Sequence, residues 1–267
     1  MQPYEQNRSA WGTTATRAQV EVDQGLRAFM LGVYNNMVLG LAISALVALG
    51  VNRLAVTANV ADAYRNSAGQ AVRMGGQYLT SFGYTLYGTP LMWVVALAPL
   101  AFIFFFTFRM DRMSSASART TFLAFAAVMG ASLSTLLLRY TGASVVQVFF
   151  ITAAAFGSLS LWGYTTQRSL SGMGSFLMMG LIGLIIASLV NIFLASSALQ
   201  FAISSIGVLI FAGLTAYDTQ KLKEMYLYGN YDGEAAAKAS IFGALTLYLD
   251  FINMFQFLLA LFGNRNE

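Results

Sequence analysis

The sequence predicts an all-α polytopic membrane protein with seven transmembrane helices. Of its 267 residues, 57% are hydrophobic and 10% are charged, whereas a soluble domain carries about 25% charged residues. Seven apolar runs are each long enough to cross about 30 Å of hydrocarbon at about 1.5 Å per residue. The composition and the runs together indicate an integral membrane protein.

A polar tail, residues 1–28, precedes a membrane domain that covers residues 29–263. We expect this tail to be flexible as far as Gln19. The first apolar run is as long as a true span and lacks a small-residue cleavage site, so we interpret it as a transmembrane helix and not as a signal peptide. The predicted spans are 29–50, 91–108, 120–138, 144–165, 173–194, 199–220 and 240–262.

The segments between the apolar runs carry further signals. The uncharged stretch from Ser169 to Tyr217 is too long for one helix, and Ser196-Ser197 is the predicted turn. Residues 51–90 form a long polar loop, rich in glycine in its second half, with a short helix predicted near 58–73. Pro99 is expected to bend span two.

The distribution of basic residues predicts the orientation. With the N-terminus inside, ten of the 15 Lys and Arg residues fall on inside segments and five on outside segments. Cytoplasmic loops carry the excess of Lys and Arg, so the count favours a cytoplasmic N-terminus and a periplasmic C-terminus. The basic residues do not gather on one stripe, so the sequence offers no nucleic-acid surface.

The chain contains no cysteine and no histidine. Disulfides, thiol catalysis, haem and nearly all zinc sites are therefore excluded, and we expect no tightly bound cofactor. Proton chemistry in this protein has to be carried by carboxyl groups.

Asp250 lies in the middle of the apolar run from Ile241 to Phe262. An ionised Asp at the centre of a span costs roughly 2.5–3.5 kcal/mol on insertion scales. Such a residue is retained where it is partnered, protonated or exposed to water, and by default it is functional.

A second carboxylate, Asp218, lies near the inner end of span six. The two can meet only if span six continues inward past Asp218 or if the start of span seven is unwound. Two carboxylates brought close in a medium of low dielectric cannot both stay ionised, so the pair would share a proton. A pair of this kind would give a histidine-free protein a way to sense pH or to gate a cation.

Helical spacing places Thr246 and Asn253 on the same face as Asp250, which is typical of a helix that lines a cavity inside a bundle. Two simpler interpretations remain open. Asp250 could be a protonated structural residue bonded to a neighbouring helix. Asp218, with Lys221 three residues later, could be an ordinary ion pair at a helix end.

Several segments resemble the signatures of one family. Ala216-Tyr217-Asp218-Thr219-Gln220 and Leu249-Asp250-Phe251-Ile252-Asn253 resemble the paired motifs of the Bax inhibitor family, also called the transmembrane Bax inhibitor motif family. The likeness is to its bacterial, YccA-like branch. Val33-Tyr34-Asn35-Asn36-Met37 and Phe108-Arg109-Met110 with Met113-Ser114 look like the same branch, and the resemblance covers about residues 25–263.

The resemblance implies a seven-helix fold with the last helix at the centre of the other six. It also implies a pH-sensitive calcium leak of the bacterial inner membrane. Asp218 and Asp250 would be the pH sensor and weak, transient calcium ligands, with Tyr217, Gln220, Thr246 and Asn253 as pore or supporting residues. A basic residue at the end of span two, Arg109 or Arg112 with Arg109 preferred, would be a latch that pairs with Asp218 in the closed state.

Two other functions compete with a leak of calcium ions. The resemblance also allows an interaction protein that modulates a membrane-bound protease or a stress pathway through its polar tail. An intramembrane aspartyl protease also carries two Asp residues on neighbouring helices. However, Leu247-Tyr248-Leu249-Asp250 lacks the glycines that let a substrate backbone approach. We therefore expect no enzymatic activity.

Overall fold

The computed structural model describes residues 6–109, 112–229 and 233–266, with side chains from residue 22 onward. Within these residues, seven helices are long and apolar enough to cross a membrane, which confirms the predicted fold class. The helices are α1 (Gln6–Ala55), α2 (Ser81–Tyr87), α3 (Leu91–Arg109), α4 (Ser115–Arg139), α5 (Gly142–Thr165), α6 (Ser171–Leu194), α7 (Ser197–Tyr228) and α8 (Gly233–Phe262). All except α2 are membrane-spanning candidates.

Several helices are longer than the apolar runs that predicted them. α1 begins at Gln6, so most of the segment expected to be a flexible tail is helical, and residues 1–5 of the tail lie outside the described residues. α7 continues to Tyr228, and α8 starts at Gly233. Polar residues can extend a helix beyond the hydrocarbon, where hydropathy no longer marks its ends.

The helix ends are set by local chemistry. Ser114, Thr141 and Ser196 each accept a hydrogen bond from a backbone N–H in the first turn of α4, α5 and α7. Between α6 and α7 the chain turns through Ala195, which has the left-handed φ of 47°. The predicted break at Ser196-Ser197 is therefore confirmed.

The predicted short helix near 58–73 is wrong. Within 58–73 the described helical structure is a single 3₁₀ turn at Val60–Asp62, and most of the other residues are irregular. The segment connects β1 (Val56–Thr57) to β2 (Arg73–Met74), and both strands pair with β3 (Gln77–Leu79) in a small antiparallel sheet of order β1-β3-β2. Gly75 and Gly76 have φ of 55° and 75°, which closes the β2–β3 hairpin. Leu79 is fully buried and packs with Leu138 at the end of α4.

α8 is the most buried of the long described helices. It packs against α7, α1, α5 and α4, while α3 packs mainly on α4 and α6 mainly on α7. The α3 helix continues through the buried Pro99. The core therefore surrounds α8, and α3 and α6 form an outer layer.

One buried polar contact fixes the centre of this core. The Tyr248 hydroxyl of α8 lies 2.7 Å from Ser44 Oγ of α1, and Ser44 donates to the carbonyl of Ala126 in α4 at 2.7 Å. Phe122 and Phe125 of α4 pack edge-on against the Tyr248 ring. A fully satisfied polar contact of this kind sets the relative positions of three helices.

Candidate functional site

The structure brings Asp218 and Asp250 together. α7 runs ten residues beyond Asp218, so α7 and α8 still pack side by side at the depth of both carboxyl groups. The two carboxyls are close enough to act on each other. Of the two routes considered from the sequence, continuation of the sixth span is the one observed, since α8 is helical from Gly233.

The two carboxyl groups differ in their surroundings. Asp250 is 4% exposed, and its Oδ2 is buried with no hydrogen-bond donor among the described residues. Asp218 is half-buried. An ionised carboxyl group can only accept hydrogen bonds. A proton held between Asp218 and Asp250 would therefore supply a donor and remove the repulsion of two adjacent negative charges.

Lys221 is the cationic side chain close enough to act on Asp218. It lies one turn further along α7, where its Nζ is 5.9 Å from the centre of the Tyr217 ring. Elsewhere in the described ranges, no third acidic side chain joins the pair to make a cluster of metal ligands. The pair alone offers carboxylate oxygens, the ligands that calcium prefers, but too few for a tight site.

The structure does not bring the proposed latch residues to Asp218. Arg109 and Arg112 are exposed at the end of α3 and in the turn that follows. α3 packs mainly on α4, and no ion pair joins either guanidinium to Asp218 in the part of the chain that is described. The latch stays a prediction.

Gln220 has a specific role that its position in the motif did not reveal. Its Oε1 accepts from the backbone N–H of Leu170 at 2.6 Å, and its Nε2 donates to the carbonyl of Arg168 at 2.9 Å. Gln220 thereby ties the α5–α6 loop to α7 beside Asp218. Tyr217 points elsewhere, toward Gly174 of α6.

Replacing Gln220 by Ala is expected to release this loop. The change leaves two backbone groups without partners, each worth about 1–3 kcal/mol where buried. Hydrogen exchange in residues 166–170 should become faster, and the protein should unfold at a lower temperature. The matched control is Gln147→Ala, an exposed glutamine on α5. If hydrogen exchange in residues 166–170 were equally fast in the two variants, Gln220 would not be what holds this loop.

Thr246 and Asn253 bond within their own helix. Thr246 Oγ1 donates to the carbonyl of Phe242 at 3.2 Å, and Asn253 Nδ2 donates to that of Leu249 at 2.8 Å. Asn253 also lines an open cavity of about 240 Å³ between α6, α7 and α8. Of the two, Asn253 is therefore the one that borders this cavity, which neither Asp218 nor Asp250 lines.

A chain of hydroxyl groups beside Asp218 was not predicted. Tyr34 OH of α1 lies 2.7 Å from Ser160 Oγ of α5, which lies 2.9 Å from Thr219 Oγ1 of α7. Thr219 donates to the carbonyl of Thr215 at 2.7 Å. The chain links three helices next to Asp218. No sequence spacing relates its members, although Tyr34 belongs to one of the segments that resemble the family.

The site can be compared with known proteins. Residues 26–267 match the family described as "Inhibitor of apoptosis-promoting Bax1". An uncharacterized protein of Caulobacter vibrioides is 49% identical over 253 residues, which cover 95% of each chain. The inner membrane protein YbhL of Escherichia coli (strain K12) is 40% identical over 248 residues, which cover 92% of this chain and 95% of YbhL.

An uncharacterized protein of Rickettsia prowazekii is 43% identical over 95% of this chain and 97% of its own length. The family match includes all seven spans and both Asp motifs. The likeness to these relatives runs through nearly their whole lengths. The chain belongs to the Bax inhibitor family of multi-pass membrane proteins.

Proposed function

We propose that this protein is a pH-sensitive calcium or cation leak channel of the bacterial inner membrane, with Asp218 and Asp250 as the proton sensor. The observation that carries the proposal is that the two carboxyls are neighbours and that Asp250 has a buried oxygen with no donor among the described residues. Intramembrane carboxyl groups of this kind commonly mark ion or proton pathways. The inner-membrane location is supported by the likeness to YbhL.

The proposed orientation places the α3–α4 turn and the start of α8 on the cytoplasmic side. Ser115 N at the start of α4 donates to Glu234 Oε1 at the start of α8, at 3.1 Å. The α3–α4 turn therefore lies on the same side of the bundle as the start of α8. The excess of Lys and Arg on this side supports a cytoplasmic N-terminus and a periplasmic C-terminus.

Gating follows from the charge of Asp218. An ionised Asp218 attracts a cation, and Arg109 or Arg112 would close the cytoplasmic mouth by pairing with it. A proton on the pair weakens that attraction and lets the helices separate. In the described structure the two carboxyls are neighbours, and neither Arg109 nor Arg112 is paired with Asp218. This arrangement is compatible with the state in which the pair carries a proton.

Calcium would bind to the Asp pair only weakly and transiently. Carboxylate oxygens are suitable calcium ligands, but a site with six to eight ligands would need water or backbone oxygens in addition. Weak binding allows the ion to leave again, which favours conduction over storage. The pair would thus serve both as the sensor and as a transient step on the ion path.

Flux measurements in liposomes test the proposal. For the wild-type protein, calcium flux should rise as pH falls through neutrality. Asp218→Asn carries no charge at any pH, so it should give high flux without a pH response. Asp62→Asn, an exposed carboxyl outside the spans, is the matched control and should behave as wild type. Unchanged flux and pH response in Asp218→Asn would refute the sensor.

A further inference from the structure

Two connected cavities form a groove between α1 and α5. Their volumes are about 800 Å³ and 480 Å³, and both are lined by Leu41, Ala45, Phe149 and Phe251. α1 packs chiefly on α4 and α8, while α5 packs chiefly on α7 and α8. The space between α1 and α5 is therefore left unfilled, with Phe251 of α8 as its floor.

The larger cavity has apolar walls that small residues keep open. Ala42, Ala153 and Gly157 are among its lining residues. A Cβ atom added at Gly157 would meet no other atom within 4 Å. In a bilayer, an apolar groove open toward hydrocarbon is filled by hydrocarbon, because empty space forfeits dispersion contacts.

Polar groups lie at one end of this cavity. Among the described residues, Arg27 is the one charged residue that lines it, and no acidic side chain does. Tyr164 lies toward the same end, with Lys223 Nζ 5.5 Å from the centre of its ring, and Tyr34 lies two turns further along α1. The groove thus combines a long apolar body with a positively charged end, which is the complement of an anionic phospholipid.

We propose that the α1–α5 groove binds one anionic phospholipid, with an acyl chain along the groove and the phosphate at Arg27. From Arg27 to Ala45, the farthest residue of α1 that lines the larger cavity, is 18 residues, or about 27 Å. Half of a bilayer, headgroup included, is about 20–22 Å thick. The larger cavity is therefore long enough to hold one whole leaflet, so a phospholipid with its phosphate at Arg27 fits within its length.

The test uses full-length protein reconstituted in vesicles of phosphatidylcholine and phosphatidylglycerol, then released for native mass spectrometry. Wild type should retain one phospholipid, with phosphatidylglycerol preferred about fivefold, the attraction expected from one basic residue at an anionic surface. Gly157→Leu should lose this lipid. Gly183→Leu, on α6, also has open space at its Cβ and should retain it.

Arg27→Gln separates the two parts of the site. This variant should keep a phospholipid but lose the preference for phosphatidylglycerol. If Gly157→Leu fails to fold, the lipid preference of Arg27→Gln still tests the proposed site. Retention by Gly157→Leu equal to wild type, or an unchanged preference in Arg27→Gln, would overturn the proposal.

A second copy of the chain is the other occupant that can be tested directly. The protein has no cysteine, so Gly157→Cys introduces a single thiol. Under oxidation in vesicles, the lipid-filled groove predicts no disulfide-linked dimer. Efficient dimer formation at this position would show that another copy covers the groove and would overturn the lipid site.

Discussion

Replacing Asp250 by Asn is expected to leave the protein folded and to abolish the response of calcium flux to pH. The amide of Asn can donate a hydrogen bond to the Asp218 carboxyl, so the contact between α7 and α8 survives. It cannot take up or release a proton in the range of the assay. In Asp250→Asn the two side chains would therefore keep, at every pH of the assay, the arrangement that the Asp pair has when it shares a proton.

The measurement is calcium flux into dye-loaded liposomes over a pH series, with thermal unfolding in detergent as the check on folding. The change in flux across neutral pH should fall to background, while the unfolding temperature stays near that of wild type. Asp250→Leu has a similar size but removes the polar contact, so it should also destabilise α7 against α8. A full pH response in Asp250→Asn would remove Asp250 from the sensor.

Replacing Gly163 by Leu is expected to give the largest loss of stability among the variants considered. Gly163 of α5 is buried against the backbone of α7, and an added Cβ would lie 2.9 Å from both the carbonyl carbon and Cα of Ala216. Backbone cannot move aside as a flexible side chain can, so α5 and α7 must separate. Overpacking of this kind costs about 3 kcal/mol.

Gly157→Leu is the matched control for this prediction. Gly157 lies on the same helix but has open space at its Cβ, so the same substitution should leave the unfolding temperature unchanged. Thermal unfolding of both variants in one detergent compares them directly. Because Ala216 is two residues from Asp218, Gly163→Leu should also disturb the Asp pair. Equal stability of the two variants would contradict the close approach of α5 and α7.

The positions of the spans could be predicted because hydrocarbon imposes a strong local constraint. About 20 apolar residues are needed to cross the bilayer, and such runs are visible in the chain without any knowledge of its neighbours. The turn at Ser196-Ser197 could be predicted for the same reason. The ends of α1, α7 and α8 could not, because polar residues outside the hydrocarbon carry no comparable signal.

The candidate site was predictable in part. Asp218 and Asp250 stand out because charge is rare in apolar runs. The tie from Gln220 to the α5–α6 loop and the hydroxyl chain from Tyr34 to Thr219 join residues that are far apart in sequence. Their side chains are ordinary in isolation, so only their meeting in space distinguishes them.

The sequence by itself determined the membrane class, the seven spans, the turn between the fifth and sixth spans and the two acidic residues, since each depends on local composition. Only the tertiary structure decided that α7 extends past Asp218, that the two carboxyls are neighbours, that Arg109 and Arg112 lie apart from Asp218, and that α1 and α5 leave a groove. The physical reason is that these features depend on how the surfaces of separate helices pack. Helix packing depends on the shapes of the helix surfaces that meet inside the bundle. A linear pattern of hydrophobicity does not specify which residues meet there.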